Sequence, residues 1–485
     1  MGTLYQTTYT YEISEVKKML NNKIEAAVAK ALGNKYHDDG MRDKIREWNN
    51  WYCGNDDDFH TVEVNNGMTV VKRPMFKLKM AKKVAEDWAD LLFNEKTLIA
   101  VNDKNALEFL NGEDGHRGVF GENKFRSETN KLIEKAFALG TGAITVNISN
   151  AELDEFGRLK KSPRAKISLG YTGAENIFPI SHKNGKVEDI AFAGCISING
   201  EEFVYVQVHT LEADGYVIRS RLFDSCNEEV ALPKNIAPTV RTGSKRPWFV
   251  IIKPNTVNNL YPDSPMGLSV FSSAMDILKG IDLCYDSMNM EFYLGKKMVF
   301  LRKDMLEQDS YGNYFAPQDS NRQLFMYVGD KNIDGDMVPK EFNPELRVEA
   351  HTEALQAQLK YFASKCGLGE RTYSFEKGSA VTATQIISEN SSMFRSLKKH
   401  EMLLEEELVS LIRTLISIGR EVIGLDITEN PSISVIFDDS IIEDKNSSRK
   451  ADLELVKEGI ISPWEFRMKH FGEDEATAKS KIRKE

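Results

Sequence analysis

The stretch 343–422 constrains this fold more than any other, because its pattern predicts a helix, a glycine-rich loop and one very long helix. Asn343-Pro344-Glu345 is typical of a helix start, with an N-cap residue followed by proline in the first turn. A capping-box pattern at Thr382-Ala383-Thr384-Gln385 starts the second helix, and no glycine or proline follows before Gly419. At 1.5 Å per residue this helix would be about 60 Å long, more than one compact domain needs. We therefore expect a mechanical element rather than an enzyme pocket.

Apolar residues recur three and four positions apart along the predicted long helix. This spacing fits either a coiled-coil seam or the buried face of a helix inside a domain. Lys398, Lys399 and His400 interrupt the pattern, which disfavours a plain two-stranded coiled coil and predicts a more exposed N-terminal half. The apolar residues of the stripe are Leu404, Leu408, Leu411, Leu415, Ile418 and Val422.

Composition indicates a globular protein of about three domains for 485 residues. The chain is 41% hydrophobic and 28% charged, with a net charge of −10. This acidic balance argues against a protein that holds DNA over its whole surface, but not against one that lets DNA slide past. The five cysteines are scattered and form no CxxC pattern, so we expect neither a disulfide framework nor a zinc site, and a reducing compartment fits.

Nothing at the N-terminus resembles a signal peptide, because neither a basic n-region nor an apolar h-region is present. The apolar run at residues 137–146 is much shorter than the roughly 18 residues that indicate a membrane span. We therefore expect a protein that is neither secreted nor bound to a membrane.

Hydrophobic periodicity divides the remaining chain into helical and strand regions. Residues 1–135 are predicted to be mostly helical, whereas residues 140–255 alternate with period two. Helical spacing returns from Phe271 to Phe292, and short strands and turns occupy residues 298–342. With a late strand at 433–437, the predicted class is α+β. Three hairpin-turn dipeptides predict that the alternating region is an antiparallel meander: Asn184-Gly185, Asn199-Gly200 and Asp214-Gly215.

Sequence patterns for catalysis or cofactor binding are scarce. The lone GxG at Gly140-Thr141-Gly142 is predicted to be a tight entry into the first strand rather than a phosphate loop. Asp438-Asp439 could bind a metal ion but is more typical of a loop. We therefore expect no enzyme activity, no catalytic residues and no cofactor.

One metal-binding pattern is matched in full, because residues 330–341 fit the EF-hand calcium loop. Its ligand positions would be Asp330, Asn332, Asp334, Asp336 and Glu341. A strand-like segment precedes the loop and Pro339 lies where the exit helix should begin, so a polar hairpin turn is preferred over a calcium site.

The glycine-rich loop carries two cations, Arg371 and Lys377, beside the aromatic residues Tyr373 and Phe375. Basic and aromatic side chains on a loop can contact a nucleic-acid backbone. From composition alone, a solvated surface loop is the simpler interpretation.

Several segments together are similar to the portal proteins of tailed bacteriophages that infect Gram-positive bacteria, of the long-tailed siphophage type. The resemblance extends over nearly the whole chain. Cys53 and Gln385 stand where more typical polar or acidic residues are expected. The segments that carry the resemblance are WNNWYCG (48–54) with Phe59-His60, MAKKVAEDWADLLFNEK (80–96), FALGTGAITV (137–146), IIKPN (251–255), DSPMGLSVF (263–271), DLCYDS (282–287), FNPELRVEAH (342–351) and TATQIISENSSMFRSLKKHE (382–401).

The resemblance implies a ring of twelve subunits at one capsid vertex, each with a wing, a stem, a clip and a crown. It implies a phage virion protein that is present in the host cytoplasm during assembly. The implied domains are a wing at 1–262 with the β meander at 140–255, a first stem helix at 263–297, a clip at 298–342, a second stem helix at 343–366, a tunnel loop at 367–382, a long helix returning to the wing at 383–440, and a crown at 441–485.

In such a ring the portal would be the channel for double-stranded DNA during packaging and ejection, and not itself an enzyme. Its implied partners are the terminase motor, then a head-completion adaptor, with the major capsid and scaffolding proteins. The tunnel-loop residues that would line the constriction are Gly369, Arg371, Tyr373, Phe375, Lys377 and Gly378. A second basic belt would hold Lys296, Lys297, Arg302 and Lys303, unless these cations only complement the end of the helix dipole.

Two other functions stay open on the residues alone. A metal-dependent DNA-processing enzyme would use Asp438-Asp439 or the Asp330 loop, but the sequence offers no complete ligand set. Another structural head or connector protein is the third possibility, although a shorter adaptor would not need the long helix.

Overall fold

A computed structural model of the chain describes most of its residues, and every structural statement below concerns them. By contacts they divide into two compact units: unit 1 comprises residues 1–46, 85–270 and 382–485, and unit 2 comprises 47–84 and 271–381. The described residues are 19–33, 40–56, 58–65, 70–112, 117–301, 307–308, 310–311, 314–315, 325–327, 340–375, 383–437, 452–457, 461–471 and 478–479.

Helices occur before and after a central β region, and short 3-10 turns at Ala174–Asn176 and Ser272–Ala274 interrupt the chain. No described helix is long and apolar enough to cross a membrane. The α-helices are α1 (19–32), α2 (Met41–Cys53), α3 (Met80–Leu92), α4 (Lys104–Asn111), α5 (Val119–Glu122), α6 (Phe125–Leu139), α7 (Met275–Leu294), α8 (Val348–Lys365), α9 (Ala383–Ile418), α10 (452–457) and α11 (Pro463–Phe471).

The strands are almost all antiparallel, the exception being the pair β13–β16. Together with the helices they confirm the α+β class. The strands are β1 (Thr61–Asn65), β2 (Val70–Pro74), β3 (Leu98–Val101), β4 (Gly142–Ser149), β5 (Lys166–Gly173), β6 (Ile177–Lys183), β7 (Lys186–Ile198), β8 (Glu201–Glu212), β9 (Gly215–Phe223), β10 (Glu229–Val230), β11 (Thr239–Arg241), β12 (Phe249–Ile252), β13 (Met298–Leu301), β14 (Glu307–Gln308), β15 (Tyr314–Phe315), β16 (Phe325–Tyr327), β17 (Lys340–Phe342) and β18 (Ile433–Ile436).

The β region of unit 1 confirms the predicted antiparallel meander and forms two sheets. One follows the order β10-β9-β8-β7-β6 with β11 added to β9, and the other follows β12-β4-β5. Asn184-Gly185 and Asn199-Gly200 join β6 to β7 and β7 to β8 with positive φ at both residues, as a type I′ turn requires. The third predicted turn is displaced by one residue, because Gly215 already pairs with Glu212 and the turn lies at 213–214.

Helix α1 covers one face of the larger sheet. Its apolar residues Ile24, Ala27 and Val28 follow helical spacing, so one side of the helix is buried. They pack against a cluster of sheet residues that includes Phe178 and Val206. The predicted helical N-terminal region is confirmed in part, since residues 1–135 also contain β1, β2 and β3.

The GxG segment is a tight entry into the first strand of the meander, as the sequence predicts. Helix α6 ends at Leu139, Gly140 takes a positive φ of 87°, and β4 begins at Gly142. A Cβ at Gly140 would lie 2.3 Å from the carbonyl oxygen of Gly267, so only glycine fits this backbone contact.

This contact also corrects the start of the predicted first stem helix. Residues 264–269 of unit 1 form neither helix nor strand, and Gly267 lies against Gly140 with its N–H donated to the Thr141 hydroxyl at 3.0 Å. The helix therefore begins at Met275 and not near residue 263.

Helix α9 is the predicted long helix, with 36 residues and a length of about 54 Å. Its stripe from Leu404 to Val422 is buried, and the helix packs against β12 and β18 of unit 1. The stripe is therefore the buried face of a domain helix rather than a coiled-coil seam. At Gly419 the helix changes to a π-helical turn, Gly419–Ile423, where the Phe109 ring occupies the space of a Cβ. Thr382 of the predicted capping box lies outside the described residues.

Unit 2 is built on an antiparallel pair of helices, α7 and α8. Gly280 of α7 lies against Gln358 of α8, and Gly295 at the end of α7 lies against Leu346, just before α8. The short strands predicted between them are confirmed where described, with β13 between β16 and β17. The predicted helix start at Asn343-Pro344 is wrong, because α8 begins at Val348 after five residues without helical structure.

Acid should selectively weaken unit 1 through His209, which lies on β8. Its side chain is fully buried and perpendicular to the Phe192 and Phe249 rings, and neither ring nitrogen has a hydrogen-bond partner among the described residues. Burial lowers the pKa of His209 to about 3. The unfolded chain binds this proton near the ordinary pKa of about 6.5, so stability falls as the pH drops from there towards 3.

We expect the His209→Leu variant to lose less stability than the wild type between pH 7 and pH 5, by about 2 kcal/mol. Denaturant unfolding at both pH values measures this difference. The matched control is His182→Leu on the exposed end of β6, which should keep the wild-type pH dependence. An unchanged pH dependence in His209→Leu would show that another group causes the acid sensitivity.

Candidate functional site

The described part of the predicted tunnel loop begins with the C-terminal cap of helix α8. Helix α8 stops at Lys365, Gly367 has a positive φ of 80°, and Leu368 donates its N–H to the Ala363 carbonyl at 2.9 Å. Gly367 donates to the Ser364 carbonyl, which completes a Schellman motif with Leu368 buried. The backbone therefore requires glycine at Gly367, which sequence reasoning had noted only as part of the loop.

Four of the six predicted loop residues are described, and they differ in exposure. Arg371 is exposed, Phe375 is 70% exposed, and the Tyr373 ring lies 6.2 Å from that of Phe362 on α8. Gly369 has no positive φ, so its backbone conformation does not require glycine. Lys377 and Gly378 lie outside the described residues.

A buried glutamine of α8 contacts this loop, and sequence reasoning missed it. The side-chain oxygen of Gln356 accepts the Phe375 N–H at 2.9 Å, and its nitrogen faces the Tyr373 carbonyl at 3.5 Å. The signal that could have found it is a polar residue directly after Leu355 on the apolar side of the helix.

The predicted basic belt is described at two of its four positions. The Lys296 ammonium lies 5.0 Å from the centre of the Tyr293 ring, and the Lys297 ammonium pairs with Glu341 at 2.8 Å. Both lysines are exposed and follow the end of α7. Arg302 and Lys303 lie outside the described residues.

The structure gives no support to a metal centre in the part of the chain that it describes. No group of three or more His, Cys, Asp or Glu side chains there could hold an ion. Glu341 of the EF-hand-like pattern lies next to strand partner Val299 and pairs with Lys297 instead. The other positions of that pattern, Asp330, Asn332, Asp334 and Asp336, and also Asp438 and Asp439, lie outside the described residues.

A charged cluster joins the end of α7 to the start of α8. Arg347 donates to Glu291 from Nε at 3.0 Å and from Nη2 at 2.7 Å, and His351 Nε2 lies 3.6 Å from the same carboxylate. The hydrogen bond from Arg347 is the largest cause that lowers the pKa of Glu291 to about 2. This cluster holds residue 347 in place before the helix, which is why α8 starts later than predicted.

Two buried carboxylates of α7 bind the segment that precedes α3. Asp286 accepts two hydrogen bonds from the Arg73 guanidinium at 2.7 and 2.9 Å, and one from the Phe76 N–H at 2.9 Å. Burial raises the pKa of Asp286, but the bonds from Arg73 and Phe76 outweigh it, so that this pKa is lowered. Asp282 accepts from the Leu78 N–H at 2.8 Å.

Asp282 also meets the N-terminal motif that carried the resemblance. The other oxygen of Asp282 lies 2.8 Å from His60 Nε2, while His60 Nδ1 lies 2.8 Å from the Asp56 carbonyl. The rings of Trp51 and Phe59 lie 4.9 and 5.0 Å from the His60 ring. The distant segments 48–60 and 282–287 therefore form one buried polar cluster, which the sequence indicates only through its acidic positions on an apolar helix.

Beyond Asp286, helix α7 has no buried residue. Its last turn instead carries large apolar side chains in contact with solvent: Phe292 is 50% exposed, Tyr293 63% and Leu294 68%. Leu283 of α7 and Tyr361 of α8 are 55% and 64% exposed. The helix pair thus presents apolar surface that the described part of the chain does not cover.

Comparison with protein families gives a match over the C-terminal half of the chain. Residues 247–485, from β12 to the C-terminus, match the family described as phage portal protein, SPP1 Gp6-like. The matched region contains α7, the strands after it, α8, the loop and α9. A comparison with curated proteins gave no match.

Replacing the two carboxylates of α7 by amides should cost different amounts of unfolding free energy. Asp286→Asn removes the buried carboxylate that pairs with the partly buried Arg73 guanidinium, and we expect a loss of about 3 kcal/mol in unfolding free energy. Asp282→Asn keeps an oxygen for the Leu78 N–H and an amide that can donate to His60 Nε2, so we expect a loss of about 1 kcal/mol or less. Denaturant unfolding of the two variants measures both values, and equal losses would contradict this distinction.

Proposed function

The chain belongs to the phage portal protein family, SPP1 Gp6-like, and from that premise we propose that it forms a twelve-subunit ring around a DNA channel at one capsid vertex. Membership makes it a structural protein of the phage capsid that takes part in DNA packaging. The ring would admit double-stranded DNA during packaging and release it during ejection. The protein would be present in the host cytoplasm during assembly and in the virion afterwards.

The observation that carries the ring proposal is the uncovered apolar surface of α7 and α8. Leu294 and Tyr293 are more than 60% exposed at one end of α7, and Tyr361 is 64% exposed on α8. Apolar side chains of this size favour burial by roughly 25 cal/mol per Å². A second copy of the same helix pair is the partner that a closed ring supplies to every subunit.

The domain assignment follows from the same proposal. Helices α7 and α8 would form the stem, the strands between them the clip, and the β region of unit 1 with its surrounding helices the wing. Residues 367–382 would be the tunnel loop, and residues 441–485 most of the crown. The clip would dock the terminase motor first and the head-completion adaptor afterwards, while the wing would meet the capsid and scaffolding proteins.

The charge balance suits a channel through which DNA moves. A protein with net charge −10 repels phosphate over most of its surface, which lowers friction along the bore. The exposed Arg371 supports weak, salt-screened contacts at the constriction. Lys297 is less suited to such a contact, because Glu341 already pairs with it.

Negative-stain electron microscopy of the purified protein tests the proposal directly. We expect rings with about twelvefold symmetry and a central hole in top views. Rings without a central hole, or a stable small oligomer that cleaves DNA in the presence of a divalent metal, would contradict the proposed channel.

A charge placed in the uncovered apolar surface should prevent ring formation. We expect Leu294→Glu to shift the protein from rings to small species, because burying the carboxylate between subunits costs several kcal/mol. Size-exclusion chromatography with light scattering and ring counts in micrographs measure the shift. The matched control is Phe156→Glu, an equally exposed residue (69%) on a turn directly after Asp154 and Glu155, which should still form rings. Normal rings from Leu294→Glu would exclude this surface from the subunit interface.

A further inference from the structure

The carboxamide of Gln356 contacts the loop backbone at two points. Its oxygen accepts the N–H of Phe375 at 2.9 Å, and its nitrogen faces the carbonyl of Tyr373 at 3.5 Å. These two backbone groups lie on either side of Ser374, whose own N–H closes a turn with the Arg371 carbonyl. Gln356 therefore bridges the backbone at the point where this turn ends.

This side chain is well placed to hold the loop. Gln356 is 6% exposed, and its neighbours on the buried side of α8 include Leu355, Leu359 and Phe362. A buried carboxamide without hydrogen bonds is unfavourable, so the contact with the loop stabilises the buried position of Gln356 as well as the loop backbone. The helix and the loop thus supply hydrogen-bond partners to each other.

Backbone hydrogen bonds order the loop between the end of α8 and the contact with Gln356. The Schellman motif at Gly367 is followed by turns in which Thr372 donates to Gly369 and Ser374 donates to Arg371. The Tyr373 ring packs against Phe362. Phe375 is the last residue in the described part of the loop. Its backbone N–H is bonded to Gln356, while its ring is 70% exposed.

We propose that Gln356 is a positioning residue that fixes the backbone at Tyr373 and Phe375, and thereby holds the exposed Phe375 ring as the contact side chain of the loop. This role rests on the proposed function, in which residues 367–382 form the channel constriction. The bonds at 2.9 and 3.5 Å predict that the oxygen of Gln356 contributes more than its nitrogen.

Two substitutions separate the contributions of oxygen and nitrogen. Gln356→Met is close to the same size and removes both hydrogen bonds, whereas Gln356→Glu keeps an acceptor for the Phe375 N–H and loses the donor. The matched control is Glu353→Gln, an exposed position one turn earlier on α8. Hydrogen–deuterium exchange on the purified protein reads the amide of Phe375 directly.

We expect exchange at residues 372–375 to become about tenfold faster in Gln356→Met and to change less in Gln356→Glu, while the control stays at the wild-type rate. Wild-type exchange in Gln356→Met would overturn the proposal. Should that variant fail to fold, Gln356→Glu decides the question, because a carboxylate facing the Tyr373 carbonyl must still speed exchange locally if the contact exists.

Phage assembly with the same variants then tests whether the position of the loop is needed for packaging DNA into heads. We expect fewer DNA-filled heads with Gln356→Met, partial recovery with Gln356→Glu and normal heads with Glu353→Gln. Faster exchange together with normal heads would overturn the positioning role but leave the proposed ring intact. Failure of every variant and the wild type to form rings would instead contradict the proposed function.

Discussion

The interaction on which unit 2 depends is the pair of buried carboxylates on α7. Between Met275 and Leu294 this helix buries only two apolar residues, Leu278 and Ile281, and two acids, Asp282 and Asp286. Two apolar residues cannot fix the position of a helix of five turns by hydrophobic burial alone. Charge-assisted hydrogen bonds to Arg73 and to backbone N–H groups fix the position of α7 instead.

This choice of anchor explains the rest of the surface of α7. Directional bonds need little area, so most of the helix does not have to face the interior of its own chain. The apolar residues near its end, such as Tyr293 and Leu294, are then exposed, as the proposed ring requires. A helix held by an apolar stripe would have used those residues within the subunit. The polar anchor and the exposed apolar end are therefore two consequences of the same arrangement.

Local patterns in the sequence predicted elements well where the cause was local. The Asn184-Gly185 and Asn199-Gly200 turns need only their own backbone preferences, and the stripe from Leu404 to Val422 needs only helical periodicity. The start of α8 was predicted wrongly because its cause is distant: Glu291 holds Arg347, and the cap pattern at Asn343 has no influence on that contact.

The candidate site shows the same division more sharply. Composition pointed to the loop and to Arg371, Tyr373 and Phe375, because glycines, cations and aromatic residues are visible one at a time. The partner that fixes the loop, Gln356, lies 19 residues before Phe375 and looks like one more polar residue of a helix. Likewise, nothing in the spacing of His60 and Asp282 reveals that they meet, although both lie in segments that carry the family resemblance.

Helix α8 has polar contacts with other parts of unit 2 near its start and at its middle. Close to its start, Arg347 and His351 meet the carboxylate of Glu291, and further along Gln356 meets the backbone of the loop. Two residues beyond Gln356, Gly280 lets α7 approach Gln358 closely, so the two helices are in direct contact. An α-helix is stiff over its 18 residues, about 27 Å, and does not absorb a displacement at one end. The contact with Glu291 and the proposed positioning of Phe375 therefore depend on the same stiff helix, through His351 and Gln356.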